Sequence, residues 1–135
     1  GMAPPTAAPS PVSGAADLDL HALAEAVCAR YYAEFPDEDA VYGAVGRAWC
    51  QHDNQHLLNW AALDVAGAVV LDEQVTWLAR ILEARGFPIL RLARSLELGG
   101  EVVREAVGAA GAEPMAAALD GSAAMIRERE TFLED

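Results

Sequence analysis

His52 and His56, two of the chain's three histidines, stand four residues apart in the stretch Trp49-Cys-Gln-His-Asp-Asn-Gln-His-Leu-Leu-Asn-Trp60. On a helix that spacing brings two imidazoles to one side, where they can grip one ligand, pass a proton or bind one metal ion. At 100° per residue, Val41, Val45, Ala48 and Leu63 share a face with His52, His56 and Asn59, and Trp49 and Trp60 edge it. Polar, titratable groups therefore fall in the centre of a stripe that the apolar residues mark as core. Cys50 points away from that stripe, and Asp53 and Asn54 fall on the outer side.

Three arrangements fit those residues. The first is a small-molecule pocket, apolar with a few convergent hydrogen-bonding groups. His52, His56 and Asn59 form its polar heart, with Trp49, Trp60 and Tyr31 as walls. An unpaired buried polar group costs about 1–3 kcal/mol in protein mutational data, so three on one stripe call for partners. The second is a metal site on His52 and His56. Its third ligand would come from His21, Glu25 or a carboxylate of the third helix, because neither H-E-x-x-H nor the Glu-x-x-His of di-iron bundles is present. The third has the histidines bonded to neighbouring helices and fixing only the packing.

Catalysis is less favoured. Ser10, Ser13, Ser95 and Ser122 occupy no G-x-S-x-G elbow, and Gly99-Gly100 and the Gly108–Gly111 run match no phosphate-cradling loop. A histidine with Asp53 supplies an acid and a base, but no nucleophile or oxyanion site accompanies them. No motif implies a cofactor. These residues read as a regulatory or ligand-binding module rather than an enzyme, with a metal-binding bundle or a dimeric interaction domain as the alternatives. In the last of these, exposed apolar residues such as Trp77 and Leu57 would meet a second chain.

The elements that must position these groups are helical. With 135 residues, 53% of them hydrophobic, the chain suffices for one domain with a core, expected over residues 17–135. Alanine dominates, β-branched residues other than valine are few, and apolar residues recur at helical period. The first helix starts near Asp17 with the seam Leu20, Leu23, Ala24, Val27, Tyr31 and Phe35, and Pro36 ends it. The second opens on Asp37-Glu-Asp39 and runs to about Val65, with Gly43 and Gly46 as tolerated glycines or marks of a close approach. The third spans Leu71–Arg85, with Arg80 and Glu83 as a surface pair and Gly86 as its stop. The fourth runs from Pro88 to Val107, with a kink or tight crossing expected at Gly99-Gly100. A loop over residues 108–111 precedes the fifth, which starts near Glu113 and buries Met115, Leu119, Ala123, Ile126 and Leu133. The expected fold is an all-α, five-helix bundle, up-and-down or globin-like, behind a disordered tail of residues 1–16.

A net charge of −12 argues against nucleic acid and anionic membrane surfaces as partners, since both reward clustered cations. All basic residues are arginine, which reads as a genomic base-composition bias. No apolar run of the ~20 residues needed for a membrane span exists, and the N-terminus lacks the marks of a signal peptide. Gly1 before Met2 reads as an expression scar. A cytoplasmic protein with reduced Cys28 and Cys50 is the expectation, although spacing alone leaves a disulfide open.

The segments Asp53-Asn-Gln-His-Leu-Leu-Asn-Trp-Ala-Ala-Leu63 and Val75-Thr-Trp-Leu-Ala-Arg-Ile-Leu-Glu-Ala-Arg-Gly86 resemble a helical module of bacterial regulatory and sensor proteins, some attached to cobalamin-binding domains. The likeness covers residues 37–107 and rests on Asp53, Asn54 and His56, then Trp77, Arg85 and Gly86. It implies an interaction or sensing role.

Overall fold

The computed structural model describes residues 18–107 and 109–133. The tail expected over residues 1–16, the helix start at Asp17, Gly108 and the side chain of Val107 lie outside the described residues. Five helices follow one another among those described: α1 (Leu20–Glu34), α2 (Asp37–Val65), α3 (Leu71–Ala84), α4 (Ile89–Val107) and α5 (Ala109–Arg129). The all-α bundle is the fold that the periodicity predicts. No helix among the described residues is long and apolar enough to cross a membrane.

The helix ends follow from local chemistry. Asp19 caps α1, its carboxylate accepting from the Ala22 N–H at 3.0 Å. Gly67 and Gly86, at φ +80° and +84°, turn the chain after α2 and α3 in the left-handed conformation that glycine permits. Asp64 reaches across the α2–α3 connection to accept from the Leu71 N–H at 2.7 Å. The fifth helix begins at Ala109, before the expected Glu113, so Pro114 lies inside it. Ala109, Ala110 and Ala112 are the best helix formers, and they outweigh the glycines that suggest a loop.

α2 is bent near its start. Gly43 takes φ 61° and ψ −152° inside an otherwise helical run, a conformation open to little but glycine. Three residues on, a Cβ added to Gly46 would stand 2.3 Å from the Cβ of Tyr42. The second glycine therefore lets the bent turn close.

Leu58, Leu71, Val75, Leu96, Leu119, Ile126 and Phe132 are fully buried and join α2, α3, α4 and α5 with the chain end. α4 runs unbroken through Gly99-Gly100, which mark a tight crossing with α5. A Cβ on Gly100 would meet Asp120 Oδ1 at 2.9 Å and the Ala116 carbonyl at 3.5 Å. Leu133, expected in the α5 seam, is instead 53% exposed. The helix stops at Arg129, Glu130 takes φ 66°, and the reversal buries Phe132 in its place. Arg80 and Glu83, expected as a surface pair, both reach that chain end. Arg80 Nε donates to the Phe132 carbonyl at 3.2 Å, and Glu83 accepts from the Phe132 N–H at 2.7 Å and the Thr131 hydroxyl at 2.8 Å.

Ion pairs tie neighbouring helices at the surface. Arg30–Glu105 and Arg94–Glu34 join α1 to α4, while Arg127–Glu97 and Arg104 with Glu113 and Asp120 join α4 to α5. Exposed pairs of this kind add little net stability, so they orient the helices more than they hold them.

Candidate functional site

Past its bend, α2 turns Leu57, Leu58, Ala61 and Ala62 inward together with Asn54 and Gln55. At 100° per residue that side lies opposite His52, His56 and Asn59. The helix is thus rotated from the expected orientation. Val41, expected as a core marker, is 67% exposed, and Val45 is exposed as well. Cys50, expected outward, meets Cys28 of α1 with the two Sγ atoms 2.8 Å apart. Asn54, expected outward, is buried and donates from Nδ2 to the Cys50 carbonyl at 3.0 Å. Leu57, expected as a partner contact, is 2% exposed, whereas Trp77 is 56% exposed on α3. Val41 precedes the bend at Gly43, so its phase does not carry into the rest of the helix. Past the bend, the core carried by Leu57, Leu58, Ala61 and Ala62 outweighs Val45 and Ala48.

The outer side is only partly open. His52, His56, Asn59, Trp60 and Leu63 are each half-buried. Their rings form a ladder with Trp49. Trp49 meets His52 edge-on at 5.3 Å between centroids, His52 meets His56 at 4.6 Å, and His56 meets Trp60 at 5.8 Å. Steps of three and four residues put consecutive rungs on adjacent turns. Five of the six residues expected in a pocket therefore share one side of α2. Tyr31 belongs elsewhere: its ring contacts are Tyr32 and Phe35, and its hydroxyl donates to Glu38.

The ladder has one acid beside it. His52 Nδ1 lies 3.2 Å from Asp53 Oδ1. Burial pushes the Asp53 carboxyl above the usual range, with the His52 contact pulling the other way. Burial, aided by the like charge of His52 and opposed by Asp53, holds His56 below the usual imidazole range. His56 is accordingly neutral at pH 7. One turn further on, Asn59 Oδ1 is buried with no hydrogen-bond donor among the described residues. His21 and Glu25, expected as further metal ligands, pair with each other at 2.9 Å on the exposed side of α1. Among the described residues, no three or more His, Cys, Asp or Glu side chains gather to hold a metal ion.

Sequence reasoning overlooks a second cluster. Glu38, in the first turn of α2, is 4% exposed and accepts from the Tyr31 hydroxyl and from Arg91 Nη1, the latter at 2.8 Å. Arg91 also bonds Asp37 at 3.0 Å and lies over the Phe35 ring at 4.3 Å. Burial, then the bond to Glu38, pushes the Tyr31 hydroxyl far up. Tyr32 is pushed up to about 12, first by burial. The run Asp37-Glu38-Asp39 hides this role, because three adjacent acids at a helix start read equally well as partners of the macrodipole. A third feature, a groove between α1 and α4 lined by Leu18, Leu23, Ala26 and Val102, includes no residue of the ladder. No family model, curated protein or solved structure matches this chain.

Proposed function

We propose that the protein is a non-catalytic helical binding module whose working surface is the Trp49–His52–His56–Trp60 ladder with Asn59 at its end. The observation that carries this reading is the buried Asn59 Oδ1 without a donor. Leaving such an acceptor unpaired costs about 1–3 kcal/mol, which a ligand N–H or O–H would recover. The exposed Trp49 and the half-buried rungs after it suit a flat ligand. Indole and imidazole faces stack on planar rings, and the neutral His56 ring has a nitrogen free of protons to accept a second hydrogen bond. The resemblance to sensor-protein modules points the same way.

The test is tryptophan fluorescence and melting temperature against a panel of planar N–H-bearing heterocycles and aryl amides. A ligand that binds only the native state must raise its stability. Binding that quenches Trp49 and Trp60, raises the melting temperature and disappears in Asn59→Leu supports the reading. A panel without any shift, or hits indifferent to Asn59→Leu and His56→Ala, overturns it.

A second reading is a divalent transition-metal site on the same rings, favoured by their 4.6 Å spacing and by the Asp53 contact to His52 Nδ1. An acid on one ring nitrogen leaves Nε2 to bind metal and fixes the ring's orientation. Two imidazoles leave the remaining positions to water or to a second copy of the chain. Titration calorimetry with zinc alone decides it: heat lost in His52→Ala supports the site, and no heat removes it.

A further inference from the structure

We infer that Cys28 and Cys50 form an oxidisable dithiol that closes to an intramolecular disulfide between α1 and α2 when a hydroperoxide reaches it. They are the only two cysteines of the chain, 22 residues apart in sequence, and both are half-buried. Their Sγ atoms already touch at 2.8 Å, so side-chain movement under 1 Å brings them to the roughly 2.05 Å of a bond. Asn54 makes the place more than an accidental contact. Its Nδ2 is anchored on the Cys50 carbonyl at 3.0 Å and faces the sulfurs of Cys50 at 3.5 Å and Cys28 at 3.8 Å. An amide N–H aimed at both sulfurs can donate to either one as the S–S bond is made or broken. The Cys28 contact, then burial, pushes the Cys50 thiol up and makes it the thiol that resolves the sulfenic acid rather than the one that attacks the peroxide.

The chemistry balances with one equivalent of peroxide. One sulfur attacks the O–O bond, which breaks. That sulfur becomes a sulfenic acid, and the alcohol of the peroxide, or water from hydrogen peroxide, departs. The second thiol, already in contact, attacks the sulfenic sulfur. The S–S bond forms, the S–O bond breaks, and the hydroxide leaves as water with the proton of the attacking thiol. Both sulfurs are oxidised by one electron each and the peroxide is reduced by two. The closed loop contains Pro36, the bend at Gly43 and the exposed Val45. Cys50 is the neighbour of Trp49, so the bond would clamp the first half of α2 onto α1. This inference stands apart from the binding reading.

The test uses the full chain, reduced and then treated with stoichiometric hydrogen peroxide. Intact mass should fall by the two hydrogens of one disulfide, and titratable thiols should fall from two to none. A loop of this length should raise the melting temperature by at least about 5 °C, reversibly with dithiothreitol. Cys28→Ser and Cys50→Ser should each show neither the mass loss nor the shift. If the wild-type protein keeps both thiols, or instead gains oxygen or links to a second chain, the inference is wrong.

Discussion

The imidazole of His52 meets that of His56 with ring centroids 4.6 Å apart and planes at 61°, while Asp53 stands 3.2 Å from the Nδ1 of His52. Two bases and one acid are thus stacked on the half-buried side of a helix whose other side is core. Each of the three influences the charge of its neighbours, and the fold feels the sum.

The first consequence is a pH dependence. Folding lowers the His56 pKa, so its protonation favours the unfolded chain. Stability from this group is complete above the unfolded value near 6.5 and is lost as pH falls through the folded value. Asp53 works with opposite sign. Its raised pKa means that stability grows as pH falls through the folded value toward the unfolded value near 3.9. Urea midpoints should therefore drop between pH 7.5 and 5.5, and His56→Gln should flatten that drop. An unchanged slope in the variant refutes the assignment.

A second expectation concerns the buried carboxylate. Glu38→Ala would leave the Tyr31 hydroxyl and one arm of Arg91 without their acceptor. Charged, buried hydrogen bonds are worth about 1.5–3 kcal/mol each, and Arg91 keeps Asp37, so a loss of about 2–3 kcal/mol is expected by chemical denaturation. Tyr31→Phe should cost less, about 1 kcal/mol.

Glycines give a matched pair of outcomes. Gly43→Ala must place a side chain at φ 61°, ψ −152° and should destabilise by about 1–3 kcal/mol. Gly121 sits inside α5, where an added Cβ would have nothing within 4 Å, so Gly121→Ala should stabilise by about 0.5–1 kcal/mol. Melting curves of the two proteins should move in opposite directions.

Asn59 supplies a test in the free protein. Asn59→Leu removes a buried acceptor without a donor and adds apolar volume, so the unliganded protein should gain about 1 kcal/mol. A variant destabilised by more than about 1 kcal/mol would mean that the amide is already satisfied. The same substitution separates stability from binding, because it should strengthen the first and abolish the second.

The periodicity makes the five helices legible, and Gly67, Gly86 and Pro36 mark ends that the structure keeps. What misleads is the phase of α2. Val41, Val45, Ala48 and Leu63 suggest one buried face, but Leu57-Leu58 and Ala61-Ala62 carry the core on the opposite one. A helix that is partly covered on both sides has apolar residues all round, and its periodicity then points nowhere. The doublet pairs alone, which no bend interrupts, indicate the right face. The same rotation hides the Cys28–Cys50 contact, since it turns Cys50 outward. The grouping of Trp49, His52, His56, Asn59 and Trp60 holds because it depends only on helical spacing, not on which side faces the bundle. Glu38 and Phe132 are illegible for other reasons. Glu38 stands in an acidic run that reads as partners of the helix dipole, and Phe132 is buried by a change of chain direction at Glu130 that no repeat of apolar residues announces.

Glu83 and Arg80 grip Thr131 and Phe132 from the side of α3. A tether or fused protein attached beyond Leu133 would therefore not peel α5 away from its tip. A pull applied there would be shared with the third helix through these bonds and through the buried Phe132 ring.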